Sequence, residues 1–157
     1  MKRTIIAVLT LAVAACTGAS EPTPEVSQAA PVQAIYDGFA SGDIPAVIAQ
    51  MSPDIIWNEA ENHPYADGNP YVGPDAIVSG VFVRLGTEWT GFAATPVEFI
   101  EDGSRIAVLG RYTATHNTTR KALDAQFVHI WTVEDGKVTK FQQYTDTAQH
   151  AAASTEP

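Results

Sequence analysis

In Phe127-Val128-His129-Ile130-Trp131-Thr132-Val133-Glu134-Asp135-Gly136-Lys137-Val138, Phe127, His129, Trp131 and Val133 share one face of an extended chain. Val128, Ile130 and Thr132 take the other, because successive side chains of a strand point to opposite sides. The strand runs over residues 125–133. Glu134-Asp135-Gly136 is a hairpin signal, and residues 138–145 resume the strand pattern. Working outward, residues 92–100, the turn Glu101-Asp102-Gly103, a long strand over 106–116 and a polar loop over 117–121 precede it. Four strands in succession predict an antiparallel meander.

Toward the N-terminus the apolar period becomes helical. Val32, Ile35, Tyr36 and Phe39 recur at helical spacing, and Ser41-Gly42 ends that helix. Asp43 can cap a second helix with Pro45 in its first turn and Ile44, Val47, Ile48 and Met51 as its stripe. Residues 54–60 read as a short strand with Ile55, Trp57 and Glu59 on one face. A loop punctuated by His63-Pro64, Asp67-Gly68 and Asn69-Pro70 follows. Gly73-Pro74-Asp75 opens a third helix carrying Ile77, Val81 and Leu85 on one face. Helices first and a meander later predict an α+β fold, with three helices packed on one face of a curved, mostly antiparallel sheet.

The chain has 157 residues, the size of one domain. It carries 9 Lys+Arg against 18 Asp+Glu, a formal charge of −9, and outside the extreme N-terminus no basic cluster exists. That balance argues against a nucleic-acid partner. The single cysteine excludes an internal disulfide framework and a cysteine-based zinc cluster. Met1-Lys2-Arg3, an apolar run from Ile5 to Ala15 and small residues before Cys16 form a secretory-signal pattern. Val13-Ala14-Ala15-Cys16 resembles the lipobox of bacterial lipoproteins, in which the cysteine is acylated and becomes the N-terminus. The expected organisation is a signal peptide over 1–15, a lipidated Cys16 and flexible linker over 16–29, a domain over 30–148 and a disordered tail over 149–157. The expected location is exported and membrane-anchored, on the periplasmic side of the outer membrane in a Gram-negative host. Membrane attachment is expected only through the acyl chains.

Three phrases carry a family resemblance: Ile35-Tyr36-Asp37-Gly38-Phe39-Ala40-Ser41-Gly42-Asp43, Tyr71-Val72-Gly73-Pro74-Asp75-Ala76-Ile77, and the 127–138 stretch running on to Gln143-Tyr144-Thr145-Asp146-Thr147-Ala148. Their order and spacing resemble the SnoaL-like, ketosteroid-isomerase-related branch of the nuclear transport factor 2-like superfamily, over residues 32–148. The resemblance implies a cone: a strongly curved sheet around a pocket, closed by helices. It also implies a homodimer packed through the convex sheet faces. It leaves the activity open, since the superfamily includes isomerases, cyclases, hydrolases and proteins without chemistry.

Glu59 and His129 are the catalytic candidates. Alternation puts Glu59 with Ile55 and Trp57, and His129 with Phe127 and Trp131. A carboxyl beside Trp in a dry pocket is disfavoured as an anion, which suits a base working near neutral pH. By resemblance, Glu59 stands where the isomerases keep their catalytic carboxylate, and His129 aligns, allowing one gap, with the acid of their oxyanion hole. The isomerases' donor tyrosine on the first helix aligns with Ile35. Tyr36, one residue on, is rotated by about a hundred degrees, so the full isomerase constellation is expected to be missing. Trp57, Tyr65, Tyr71, Arg111, Trp131 and Gln143 are the ligand-binding candidates, and Asp146 is either a further pocket residue or a cap. No cofactor and no metal are expected: His63, His116, His129 and His150 lack metal-ligand spacing, and no glycine-rich phosphate loop follows a strand. The expected partner is a small apolar molecule, either turned over or merely held. A dimeric structural module is the remaining alternative.

Overall fold

The structure, a computed structural model, describes residues 27–156. The signal segment, Cys16 and all of the linker before Ser27 lie outside the described residues. Helix α1 (Ala30–Ser41) starts with Pro31 in its first turn and stops at Gly42. Gly42 adopts φ 74°, a conformation a glycine reaches without a Cβ clash, and its N–H returns to the Phe39 carbonyl. Asp43 caps α2 (Ile44–Ile48) by accepting the Ala46 N–H at 3.0 Å. That helix is shorter than its apolar spacing predicts. Met51 instead opens β1 (Met51–Asn58) and pairs with Val138, so the sheet ladder overrides the helical stripe. The pairing is irregular between Met51 and Ile56, where Pro53 has no N–H to give.

After a loop come β2 (Tyr71–Val72) and a continuous helical run made of α3 (Pro74–Ile77), a π-helical segment over Val78–Phe82 and α4 (Val83–Glu88). Gly80 lies in the π segment, and a Cβ there would stand 2.1 Å from the Tyr71 ring. Then come β3 (Trp89–Asp102), β4 (Arg105–His116), β5 (Ala122–Glu134) and β6 (Lys137–Thr145). Strand β3 begins at Trp89, earlier than predicted, because Trp89 pairs with His116 at the far end of β4. The six strands lie in the order β2-β1-β6-β5-β4-β3. Among the described residues, only β1 and β6 are parallel neighbours. Asp135 and Gly136 both have positive φ and connect β5 to β6 in a two-residue hairpin turn, whose twist matches that of the strands.

The chain ends differently from expectation. Residues from Thr147 to Ser154 form α5, not a disordered tail. Asp146 is its cap, accepting the Gln149 N–H at 3.2 Å. At the other end, Lys121 Nζ donates to the carbonyls of Ala152 (3.1 Å) and Thr155 (2.8 Å), and Thr119 Oγ1 donates to Ala153 O (2.5 Å). The exposed C-terminal carbonyls of a helix want such donors, and a cation there also suits the helix dipole.

The core fills the concave side of the sheet. Val32, Ile35 and Tyr36 from α1, and Ile77, Val81 and Phe82 from the later helices, pack with Trp57, Trp131 and Phe141 of the strands. Gly110 faces this side, and a Cβ would meet the Phe127 ring at 2.2 Å, so its missing side chain lets that ring lie across β4. Among the described residues no helix is long and apolar enough to cross a membrane.

Candidate active site

The concave side encloses a cavity of about 50 Å³. Small-molecule sites usually measure ~300–1,000 Å³, so this space takes a few water molecules or a very small ligand unless its aromatic walls move. Trp57, Phe82, Trp131 and Phe141 fill most of the cone, with Trp57 stacked on Phe141 at 3.7 Å between ring centroids.

Glu59 follows the last residue of β1 and keeps the inward parity of Ile55 and Trp57. Asn69 clamps its backbone from both sides, accepting the Glu59 N–H at 2.9 Å and donating to the Glu59 carbonyl at 2.8 Å. The side chain is buried, and its Oε1 accepts the Trp57 indole N–H at 2.7 Å. Burial pushes the carboxyl up to about 7, against the opposing pull of Trp57, Gln143 and the more distant Arg84 charge. Oε2 lies 3.6 Å from His63 Nδ1, too far for a hydrogen bond. That His63 nitrogen is already the acceptor of the Tyr65 backbone N–H at 3.1 Å. Burial holds His63 down to about 3, so the two are neighbours rather than an ion pair near neutral pH.

His129 lies across the cavity surface, stacked on Phe127 at 4.0 Å between centroids. Its Nδ1 is 2.6 Å from Tyr36 Oη and its Nε2 is 2.5 Å from Tyr112 Oη. Burial drives the imidazole down to about 3, so it stays neutral and has one proton to give. It therefore donates to one tyrosine and accepts from the other. Trp131 Nε1 also donates to Tyr36 Oη (3.4 Å), and Gln143 Nε2 donates to Tyr112 Oη (2.9 Å). The tyrosine that accepts from His129 thus has both oxygen lone pairs engaged and its own proton uncommitted. Whichever tautomer forms, one tyrosine O–H in the array has no acceptor among these groups, and both tyrosines line the cavity.

Of the sequence candidates, Glu59, His129, Trp57, Tyr65, Trp131 and Gln143 line this one cavity. Two candidates do not. Arg111 is on the convex face, exposed and paired with Asp124, because its neighbour Tyr112 takes the inward position. Tyr71 is buried outside the cavity, donating to the Tyr65 carbonyl at 2.7 Å against Gly80. Tyr36, one of the apolar positions read for the first helix, reaches the interior. Helix α1 buries a broad face, and Ile35 and Tyr36 both line the cavity. Sequence reasoning missed Tyr112, His63 and His150. Tyr112 was within reach, since the expected pairing of the 106–116 and 125–133 strands lets it share the His129 face. His63 sits in a loop and His150 in the stretch expected to be disordered, where alternation says nothing. Among the described residues no cluster of His, Cys, Asp or Glu could hold a metal ion.

A SnoaL-like domain model matches residues 32–141. The chain is similar in structure to an NTF2-like protein from Burkholderia thailandensis, at 32% identity and TM-score 0.79, covering 83% of this chain and 99% of that one. It is also similar to an NTF2-like protein of unknown function from Burkholderia pseudomallei, at 30% identity and TM-score 0.74, covering 82% and 97%. A third similar structure is TerC co-crystallised with polyporic acid, at 29% identity and TM-score 0.72, covering 80% and 96%. No protein with a curated description matches the chain.

Proposed function

The chain belongs to the SnoaL-like domain family, with an NTF2-like fold, and on that premise we propose that it is a proton-transfer enzyme acting on a small neutral carbonyl compound. The observation that carries this is a buried carboxyl, raised to about 7, in one apolar cavity with an uncommitted tyrosine hydroxyl. As a carboxylate, Glu59 takes a proton from the carbon next to the carbonyl and becomes the acid. The substrate becomes an enolate, whose oxygen accepts the free tyrosine O–H. His129 acts by holding Tyr36 and Tyr112, so it is a positioning residue. Return of the proton from Glu59 to the same carbon completes an exchange, and its return to the γ carbon, where a C=C is conjugated with the enolate, completes an isomerisation; either restores the carboxylate.

The probe is cyclohexanone in D2O, with exchange of its α-hydrogens followed by NMR. The expected result is faster exchange with the protein than in buffer, rising as pH passes about 7. Glu59→Gln is expected to lose roughly 10²–10⁴-fold of that enhancement. Equal exchange by wild type and variant, with the ketone still bound, would leave a binding protein. The small cavity and the internally satisfied His129 array favour that second reading.

Export and anchoring belong to the same proposal. Cys16 at the end of the signal pattern supports acylation, so Cys16→Ser is expected to move the protein from the detergent phase to the aqueous phase. Unchanged partitioning would remove the anchor. A second copy of the chain is proposed to cover the convex face, where Val97, Ile100 and Tyr144 are exposed.

A further inference from the structure

His63 and His150 form a second imidazole array on the same cavity, and their hydrogen bonds fix where its protons lie. The Tyr65 backbone N–H can only donate, so His63 Nδ1, which receives it at 3.1 Å, carries a lone pair. The proton of neutral His63 is then on Nε2. That nitrogen lies 3.1 Å from His150 Nδ1 and donates to it. His150, also kept neutral by burial, must carry its own proton on Nε2. This N–H is buried and has no hydrogen-bond partner among the described residues. His150 is 2% exposed and lines the cavity. Helix α5 is held in place by Lys121 and Thr119, so the donor is presented by an anchored element.

We propose that His150 Nε2–H is a second recognition point, donating to an acceptor oxygen of a neutral ligand whose other acceptor oxygen takes the free tyrosine O–H. The ligand class is a small dicarbonyl or comparable two-acceptor compound. Neutrality follows from the lining: among the described residues, Glu59 and the histidines are its only ionisable groups apart from tyrosines, and no Lys or Arg lines the cavity. An anion would be desolvated there with no cation to receive it. The inference rests on the small-molecule reading above and is independent of turnover.

Two measurements test it. Long-range ¹H–¹⁵N NMR of the ligand-free protein should show His63 and His150 both neutral with the proton on Nε2. A proton on His150 Nδ1 overturns the proposal. Titration with cyclohexanone and cyclohexane-1,4-dione should then show the dione binding wild type about fivefold more tightly, the worth of one ordinary hydrogen bond. His150→Phe should bring the two affinities together, and His150→Gln, which keeps an N–H donor, should retain part of the difference. Equal affinities in wild type, with both ketones bound, would mean that the donor serves water alone. That result overturns this proposal and spares the proposed function. Binding of neither ketone overturns both.

Discussion

On the concave face of β5, Phe127, His129 and Trp131 are 2%, 5% and 1% exposed, while on the convex face of the same sheet Val97 is 77% and Tyr144 57% exposed. Both faces mix apolar and polar side chains, and the difference lies in what the polar ones meet. Inside, apart from the His150 Nε2–H and one tyrosine O–H, the polar groups of the cavity are held by one another: tyrosine by histidine, amide by tyrosine, indole by carboxyl. Outside, Arg111 and Asp124 pair in water, and the apolar side chains around them have no cover. Inside, burial is what shifts the acidities; outside, Arg111 is raised and Asp124 lowered by their mutual hydrogen bond in water.

The comparison breaks most sharply at His129. His129→Leu leaves the Tyr36 and Tyr112 hydroxyls without their common partner in a dry interior. The expected cost is about 3 kcal/mol of stability, read from the urea midpoint. A loss below ~1 kcal/mol would show that the array contributes little beyond packing.

Acid is the next lever. His63 and His129 are held down to about 3 and His150 to about 4, so all three stay neutral in the folded protein while the unfolded chain protonates them below its ordinary value of 6.5. Their contribution is present above pH 6.5 and is lost as pH falls toward the folded values. Glu59 works against this. Raised to about 7 from 4.5, it keeps a proton in the folded state that the unfolded chain releases between those values. Near pH 5.5, unfolding should therefore take up about two protons net, a fall on the order of 2–3 kcal/mol per pH unit. Denaturation series at pH 6.5 and 5.5 check it, and flat stability across that interval would contradict the neutral-histidine interior.

How much of this was legible follows from the same contrast. Period two placed Trp57, Glu59 and His129 inward, because a strand slipped by one residue would turn its whole apolar set to water. Arg111 escaped that logic. Gly110 beside it has no side chain to mark a face, and only the inward Tyr112 settles the parity. Tyr36 was legible as part of the first helix's apolar stripe, but its bond to His129 was not, since helical period alone names no partner across the sheet. Helix α5 was illegible for a different reason: few apolar residues hold it. It is fixed by the Asp146 cap, the His63–His150 bond and Lys121, none of which composition reveals.

The smallest expected change sharpens the outer half of the comparison. Val97→Lys with Tyr144→Lys should convert a dimer to a monomer in light scattering while moving monomer stability by no more than about 0.5 kcal/mol, as surface substitutions do. A wild type that is monomeric at every concentration would leave the convex face uncovered.

The grip of Lys121 and Thr119 on α5 has a practical consequence for where the gene is cut. The domain match ends at residue 141, and a boundary drawn there removes Gln143, the rest of β6 and all of α5. Even a chain stopped at Ala148 would lose His150 from the cavity and leave His63 Nε2 without its acceptor. Such a shortened product could keep its cone and still be blind to its ligand. A boundary kept beyond Thr155 instead preserves both the Lys121 clasp and His150.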